Sequence, residues 1–456
     1  MFCEPTRRPL KAYRRLKRNG CLHPLWPPVL WQSRKTGAPL IRYFRIAVLA
    51  LALGSSAAAA QDMAEESVNS GLGAGASDVI EKGSEAGLQA WITGFRGRAL
   101  AAGISAATFD QAMAGVHFLP TVIERDRKQD EFTKTIWDYI DKAVSEDRIA
   151  AGQKALKFHA ALLDQIEARY GVDKHVVLAI WGLESAYGLV RGDIDTPSAL
   201  ATLAYDTRRG AFFEAELIAA LQILQSGVVK PAAMLGSWAG AMGHTQFMPS
   251  SYLKLAVTFD GPGKPDVWRD DPADALASTA AYLANAGWKK GARWGDEVGL
   301  PAGFDYGLAG DRTQKPLSTW AEMGVTRPDA TALPATGWAA LLLPAGARGP
   351  AFLVYDNFAA IEAYNKADSY VIAVGHLADR IAGGAAFKAT WPRDLRALTL
   401  EERREMQSLL LIAGVYAGTA DGKIGPLTVA AVKAFQRAHG LVPDGFPSLE
   451  ILQTLR

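Results

Sequence analysis

The sequence predicts a mainly α-helical protein with a small β-sheet and a separate, small C-terminal module. Apolar residues recur mostly at helical spacing from Leu88 to about Ile381, and this periodicity is typical of amphipathic helices. Residues 291–355 are richer in Gly, Pro and Thr and contain short apolar runs, which indicates a few short strands set into a helical domain. Residues 391–394 are typical of a linker, and residues 397–456 follow it as a module of their own.

The composition of the 456-residue chain already excludes several classes of protein. Hydrophobic residues make up 49% and charged residues 21%, a balance that excludes wholesale disorder, a fibrous repeat and a multi-span membrane protein. Residues 1–60 carry a net charge of +10, whereas the remainder carries −8. An acidic body argues against a nucleic-acid partner, because phosphate binding needs a positive footprint. Both cysteines, Cys3 and Cys21, lie in the first 60 residues, so a processed chain would have no disulfide and no Cys-ligated metal.

The first 60 residues have the layout of a basic extension followed by a signal peptide. Arg42 and Arg45 precede a short apolar run over 46–53, and four alanines end at Ala60. This order of charged, apolar and small residues predicts cleavage near residue 60 and export to the periplasm. The apolar run is shorter than a membrane-spanning helix needs, so we expect no stable span after processing; an uncleaved anchor is the alternative. Residues 61–86 are rich in Gly, Ser and Ala and predict a flexible leader.

Helices are predicted over residues 87–390 where apolar side chains share one face. The clearest segments run from Leu156 to Tyr170, from Val176 to Leu183 and from Ala273 to Ala284. The last of these has marked end signals, with Asp271 as the expected N-cap and Gly287 just past the end.

Two short apolar runs predict the strands, and two Asp-Gly pairs predict turns in the C-terminal module. The strand candidates are Trp338–Leu343 and Ala351–Tyr355. The pairs Asp421-Gly422 and Asp444-Gly445 are 23 residues apart, and each would form a turn, because Gly tolerates positive φ. Between them, Val432 and Phe435 fall on one helix face. The module thus has a weak internal repeat.

A single carboxylate stands out in the segment from Asp173 to Gly188. Val177, Ile180 and Glu184 have i, i+3, i+7 spacing and share one helical face. Burial of this carboxylate among apolar side chains would raise its pKa and keep a proton on it near neutral pH. A protonated glutamic acid in an apolar cleft is what a general acid for glycosidic cleavage requires. The alternative is that the helix ends early and Glu184 lies exposed in a loop.

A second segment combines small and polar residues in a way that suits a sugar. Residues 236–251 contain three glycines together with Ser237, Thr245 and Gln246. Glycines allow close backbone approach to a ligand, and amide and hydroxyl groups can bind sugar substituents. A Gly-rich turn that leads into a core helix is the alternative.

Together these motifs resemble the membrane-bound lytic transglycosylase B family of peptidoglycan lyases. The resemblance rests on Glu184-Ser-Ala-Tyr-Gly188, on Ser237-Trp-Ala-Gly-Ala-Met-Gly-x-x-Gln246-Phe-Met-Pro-Ser-Ser251, and on further blocks that end at Tyr282 and Tyr370, in order over about 88–385. The C-terminal module is similar to peptidoglycan-binding domains, through Tyr416-x-Gly418, Asp421-Gly-x-x-Gly425, Phe435-Gln436 and Gly440-Leu441.

This resemblance implies a fold, a substrate and a mechanism. The fold is a lysozyme-like catalytic domain over 87–390 with a small sheet, and a three-helix peptidoglycan-binding domain over 391–456. The substrate is the bond between N-acetylmuramic acid and N-acetylglucosamine in peptidoglycan. Glu184 matches the family's single acid/base, which protonates the glycosidic oxygen and then takes the proton of the muramoyl C6 hydroxyl. The product is a 1,6-anhydromuramoyl end, formed without water and without a second carboxylate, unlike the two-carboxylate template.

The resemblance also implies which other residues touch the sugar. Ser237 and Gln246 match groups at the scissile bond, and Phe247 and Met248 would supply an apolar wall. Four tyrosines match positions that shape the cleft near Glu184, although core packing is the commoner role of a tyrosine. They are Tyr139, Tyr282, Tyr364 and Tyr370.

Two other functions stay open, and other chemistries are poorly supported. A muramidase on the same fold would need a second carboxylate, for which Asp193 or Asp195 is the candidate. A non-catalytic peptidoglycan-binding protein would use the C-terminal module alone. The seven histidines are scattered and no Asp-rich calcium loop occurs, so we expect no metal and no cofactor. The expected partner is the glycan strand of peptidoglycan, bound by a monomer.

Overall fold

The computed structural model describes residues 83–127, 134–310 and 312–456 of the chain. These residues belong to one compact unit. The predicted basic extension, the signal peptide and nearly all of the predicted flexible leader lie outside the described residues. Among the described residues, none of the helices is both long enough and apolar enough to cross a membrane.

Helices dominate the described residues, which confirms the predicted fold class. The helices that precede residue 391 are α1 (Glu85–Ala101), α2 (Ala106–Met113), α3 (Pro120–Arg127), α4 (Ile136–Ala143), α5 (Glu146–Phe158), α6 (Ala160–Tyr170), α7 (Lys174–Ser185), α8 (Thr196–Tyr205), α9 (Gly210–Ser226), α10 (Pro249–Leu255), α11 (Ala273–Asn285), α12 (Leu317–Glu322), α13 (Asp356–Glu362) and α14 (Asp368–Ile381). The helices of the C-terminal module are α15 (Leu400–Ile412), α16 (Pro426–Ala438) and α17 (Leu449–Leu455).

The described strands form two small antiparallel sheets. A two-residue ladder joins β1 (Ile194–Asp195) to β2 (Leu235–Gly236). The larger sheet has the strand order β3-β6-β5-β4, with Leu341 opposite Leu353 in its centre. Its strands are β3 (Gly295–Val298), β4 (Lys315–Pro316), β5 (Trp338–Leu342) and β6 (Ala351–Val354). The strands predicted at 338–343 and 351–355 are therefore confirmed.

Helix α7 lies at the centre of the larger hydrophobic core. It begins after Asp173, whose carboxylate accepts a hydrogen bond from His175 N, as an N-cap does. All ten residues from Val176 to Ser185 are buried, so the helix is surrounded on every side. It packs closely on α14, and α5, α6 and α11 also contact it. A helix that is enclosed on every side is held rigidly, so the side chains on its last turn are fixed in position.

The described residues also form three further hydrophobic clusters. The first joins α1, α2, α8 and α9 with the loop that contains Met242 and Phe247. Another forms one face of the larger sheet, around the fully buried Trp320. The last belongs to the C-terminal module, where Val432 and Phe435 are buried on one face of α16, as predicted.

Two local predictions differ from the structure. The helical segment predicted from Leu156 to Tyr170 is divided at His159, where α5 ends and α6 begins. The predicted N-cap Asp271 is one position early, because Pro272 is the cap residue and α11 begins at Ala273. Asp271 nevertheless accepts a hydrogen bond from Ala273 N at 3.1 Å, so its carboxylate does satisfy a free backbone donor at this end.

Candidate active site

The last turn of α7 carries Glu184 into a buried position. The Glu184 side chain is 5% exposed, and Leu183 and Ser185 beside it are also buried. The helix continues to Ser185 and ends with Ala186 in the left-handed conformation. The alternative of an exposed loop carboxylate is thus wrong, and the burial expected from the i, i+3, i+7 spacing is found.

Tyr370 is the direct partner of this carboxylate. Its hydroxyl donates a hydrogen bond to Glu184 Oε1 at 2.7 Å, and the ring is 1% exposed. Burial and the neighbouring Glu184 raise the pKa of Tyr370 well above its usual value, so the phenol keeps its proton and acts as a donor. Helices α7 and α14 pack together, and this packing brings the two residues into contact.

Three aromatic rings form a wall beside this pair. The rings of Tyr282 and Tyr364 lie 4.8 Å apart between centroids, and Phe247 meets each of them edge to face at 6.0 Å. The Tyr364 hydroxyl donates to Thr245 O, and the Tyr282 hydroxyl donates to Ala363 O. Burial raises the pKa of Tyr364 well above its usual value, and the nearby Glu184 adds to this shift. The wall is therefore neutral and close to Glu184.

The Gly-rich segment folds into a tight loop that Gln246 holds closed. Gln246 adopts a φ of 53°, a conformation that is uncommon without Gly. Its Nε2 donates to Gly243 O at 2.8 Å and to Arg191 O at 3.0 Å. Ser237 Oγ accepts from Ala241 N at 3.1 Å. Both polar side chains thus order the loop backbone, in addition to any contact with a ligand.

His244 connects this loop to α7. Trp181 Nε1 donates to His244 Nδ1 at 3.1 Å, and His244 Nε2 donates to Arg269 O at 2.9 Å. Burial lowers the pKa of His244, so the ring is neutral with the proton on Nε2. The Ser185 hydroxyl donates to His244 O at 2.5 Å. The residue after Glu184 is therefore bonded directly to the loop that carries Gln246.

Tyr187 completes the end of α7, and the sequence analysis did not single it out. Ala186 and Tyr187 have φ values of 50° and 59°, which are costly for residues other than Gly. The Tyr187 hydroxyl donates to Arg148 O at 2.8 Å. A Cβ on Gly182 would lie 2.5 Å from Tyr187 Cζ, so the ring occupies space that Gly182 leaves open. Its place inside the Glu-Ser-Ala-Tyr-Gly motif was the signal that could have revealed it.

The predicted residues fall into a tight group and a looser one. Glu184 and Tyr370 are bonded, and Phe247, Tyr282 and Tyr364 form the wall beside them. Tyr139 on α4 is half-buried and lies close enough to Tyr370 to affect its ionisation. Ser237 and Met248 lie at the two ends of the loop, and their contact with sugar stays a prediction. Asn365, which is 2% exposed beside Tyr364, was not among the predicted site residues.

The two carboxylates considered for a hydrolase are placed differently. Asp195 Oδ2 accepts a hydrogen bond from Ser198 N at 2.8 Å and caps α8, so a structural role accounts for it. Asp193 is exposed on the loop before β1. Within residues 83–127, 134–310 and 312–456, no group of three or more potential metal-ligating side chains comes together. The absence of a metal stays a prediction.

Comparison with known proteins decides the family. A model of the transglycosylase SLT domain matches residues 87–379. The chain belongs to this transglycosylase family. A second model, of a peptidoglycan binding domain, matches residues 399–455. The predicted resemblance and the lysozyme-like fold are thus confirmed, and so is the prediction of a lytic transglycosylase.

Individual relatives agree with the family match. The membrane-bound lytic murein transglycosylase B of Escherichia coli K12 is 33% identical over 260 residues, which are 54% of this chain and 66% of that protein. The crystal structure of SltB3 from Pseudomonas aeruginosa in complex with NAG-anhNAM-pentapeptide is 48% identical, with a TM-score of 0.78 over 81% of this chain and 99% of that one. Escherichia coli Slt35 in complex with calcium is 28% identical, with a TM-score of 0.56 over 67% of this chain and 96% of that one.

Proposed function

We propose that the chain cleaves the bond between N-acetylmuramic acid and N-acetylglucosamine in peptidoglycan and leaves 1,6-anhydromuramoyl ends. The observation that carries this proposal is the buried carboxylate of Glu184, which accepts a hydrogen bond from Tyr370 beside a neutral aromatic wall. An environment of low polarity favours the protonated form of a carboxyl group. Family membership supports the same reaction, and the similar SltB3 was crystallised in complex with NAG-anhNAM-pentapeptide.

Glu184 acts first as an acid and then as a base in this reaction. It gives its proton to the glycosidic oxygen as the bond from that oxygen to C1 of the muramoyl unit breaks. The C6 hydroxyl oxygen of the same sugar then bonds to C1, and its proton passes to the Glu184 carboxylate. Glu184 is protonated again at the end, and no water is consumed. The Tyr370 hydroxyl stays protonated and donates to Glu184 Oε1 throughout.

The surrounding residues hold the sugar in place. We assign the faces of Phe247, Tyr282 and Tyr364 to the walls of the cleft, together with Met248 and Tyr139. We assign Ser237 and Gln246 to hydrogen bonds with the sugar at the scissile bond, in addition to their bonds within the loop. The C-terminal module would hold the same polymer. The periplasm is the proposed location, since the substrate lies in the cell envelope and the N-terminus has the features of a signal peptide.

Mass spectrometry of the products tests this function. Residues 61–456 are incubated with purified sacculi, and the released muropeptides are weighed. Anhydro ends are about 18 Da lighter than hydrated ones, by one water, and we expect these alone. Hydrated reducing ends would instead indicate a muramidase. Binding to sacculi without any release would indicate a non-catalytic protein.

Replacement of Glu184 tests the assigned acid. Glu184→Gln keeps the shape of the side chain and removes the proton, so release should fall about 10²- to 10⁴-fold, with sacculus binding retained. Glu216→Gln is a matched control, because Glu216 is also buried and its partner is Ser250. This control should cost stability and keep turnover. Retained turnover in Glu184→Gln would show that the acid is another group.

A further inference from the structure

A cleft lies where the start of α4, the connecting segment 391–399 and the C-terminal module meet. The larger part has a volume of about 510 Å³ and includes Thr135, Trp137 and Arg393 in its walls. An adjoining part of about 160 Å³ reaches Lys134 and Arg403. Thr135, Trp137 and Arg396 line both parts. The space is thus continuous along one wall and wide enough for a short peptide segment.

Among the described residues in the walls of this cleft, basic side chains outnumber acidic ones. The basic residues are Lys134, Arg393, Arg396 and Arg403. Asp138 is the one acidic residue among the described residues that line the cleft. Arg393 pairs with Asp141 through two of its five N–H groups. Arg396 pairs in the same way with Glu402. Lys134 forms no ion pair with any of the described residues.

Two further basic residues, Lys142 and Arg148, follow Lys134 along the chain. Lys142, at the far end of α4, has a pKa lowered by burial and then by its neighbours Lys134 and Arg148. Lys142 therefore lies close enough to each of the other two cations to be repelled by it. Arg148 is in turn a neighbour of Tyr139 and Tyr187. Basic residues thus occur both at the cleft and beside Tyr139 and Tyr187, and acidic Asp138 and Asp141 also lie on α4.

We propose that this cleft binds a carboxylate of the peptide attached to the glycan strand, and that the enzyme favours peptide-bearing over peptide-free glycan. The inference rests on the proposed function. A charged cleft suits an anionic group better than a neutral sugar, and every peptide ends in a carboxylate. Sugar hydroxyls and aromatic stacking then fix the glycan at Glu184, while charge selects its peptide.

The distances along the chain allow one molecule to reach both places. Thr135 in the wall of the cleft and Tyr139 beside the active site are four residues apart on α4, which is about 6 Å along the helix. An extended peptide spans about 3.3 Å for each residue, so a stem of four or five residues covers about 15 Å. The peptide on the sugar at Glu184 can therefore extend past Tyr139 into the cleft.

The test compares two forms of one substrate. Sacculi are divided, and one half is stripped of peptides with an amidase. Cleavage of both is measured with the full mature chain, in the wild type and in Lys134→Gln and Lys134→Glu. The control variants Lys154→Gln and Lys154→Glu change an exposed lysine on α5, which is not in the walls of the cleft. The released peptide, a tetrapeptide, also serves as the probe for calorimetric binding to each protein.

We expect the ratio of cleavage on peptide-bearing to peptide-free glycan to exceed one in the wild type. It should fall about 3-fold in Lys134→Gln and further in Lys134→Glu, as expected for loss and reversal of one exposed charge contact. Peptide binding should weaken in the same order and weaken again in high salt, and the Lys154 variants should match the wild type.

An unchanged ratio in the Lys134 variants, or equal losses on both substrates, would overturn the inference. If the wild type cleaves neither substrate, the proposed function is wrong. The calorimetry alone then shows whether the cleft binds the peptide. Tetrapeptide binding that depends on Lys134 would support a peptide site, and binding that is absent or independent of Lys134 would refute it.

Discussion

Glu184 and Tyr370 are 186 positions apart in the chain and are joined by a hydrogen bond of 2.7 Å. The bond fixes one oxygen of the carboxylate to which we assign the proton transfers of the proposed reaction. Neutral aromatic rings beside the pair provide little solvation for a charge. At the scale of single residues, the proposed general acid thus lies in surroundings of low polarity and is oriented by one phenol.

Tyr370→Phe removes this orienting bond without changing the size of the ring. Glu184 is ionised between the two proton transfers of the proposed reaction, and a hydrogen bond to an ionised group contributes about 1.5–3 kcal/mol. Turnover on sacculi should therefore fall about 10- to 100-fold, while binding to sacculi is retained. The measurement is the rate of release of anhydro muropeptides. Tyr252→Phe is the control, because the Tyr252 hydroxyl donates to Pro265 O, away from Glu184. A loss of similar size in both variants would show that the effect comes from stability.

Helix α7 shows how an element positions its last turn. Gly182 leaves room for the Tyr187 ring, and Tyr187 in turn bonds to Arg148 O. The chain leaves the helix through two consecutive left-handed residues, Ala186 and Tyr187. Such strain persists only where packing imposes it. Here the strained residues follow Glu184 directly after the end of the helix.

Gly182→Ala should disturb this end of α7. The new methyl group would meet the Tyr187 ring at 2.5 Å, and overpacking of this kind costs about 1–3 kcal/mol. Denaturant unfolding should show this loss, and turnover should fall with it because Glu184 is two residues away. Gly94→Ala on α1 is the control, since no atom lies within 4 Å of its new methyl group. That variant should be stabilised by up to about 1 kcal/mol; equal stability of the two variants would contradict the packing argument.

Helix α14 contains a histidine that makes stability depend on pH. His376 is buried against the Phe387 ring at 3.7 Å, and burial, together with nearby Arg380, lowers its pKa to about 4. The unfolded chain takes up this proton near pH 6.5, whereas the folded chain does so only near pH 4. Stability is therefore lost as the pH falls from 6.5 to 4, by ~3 kcal/mol from this residue. Urea unfolding at a series of pH values measures it.

His376→Gln should flatten this dependence, even if it lowers stability at pH 7. His117→Gln is the comparison, since His117 is exposed, and it should keep the slope of the wild type. If His376→Gln kept the full loss of stability in acid, other groups would be the cause.

At the scale of the whole molecule, the C-terminal module is fastened to the region of the larger sheet. Lys433 on α16 donates to Gly307 O and Ala309 O. Asp444 Oδ2 accepts from Ala347 N at 2.8 Å. The two Asp-Gly turns are built alike, because Gln407 and Gln436 each bond to one of them. The second Asp-Gly turn also contacts the catalytic region, so this half of the predicted repeat helps to attach the module.

Lys433→Met should loosen this attachment. It keeps the apolar stem and leaves two carbonyl groups without their ammonium partner, at a cost of about 1–3 kcal/mol. Trypsin should then cut the connecting segment, at Arg393 or Arg396, about tenfold faster, because local opening controls the cleavage. Lys230→Met removes an exposed lysine as a control and should be cut at the wild-type rate. Equal rates in both variants would mean that other contacts hold the module.

The sequence by itself determined the helical class, the strands at 338–343 and 351–355, and the candidate acid. All three follow from hydrophobic periodicity and local motifs, which are properties of the sequence and do not depend on which elements pack together. Only the tertiary structure decided that Tyr370 bonds to Glu184, that Tyr187 fills the space beside Gly182, and that Asp195 serves as a helix cap. Contacts between residues far apart in sequence depend on how α7, α14 and the Gly-rich loop pack, and hydrophobic spacing within one helix does not specify its partners.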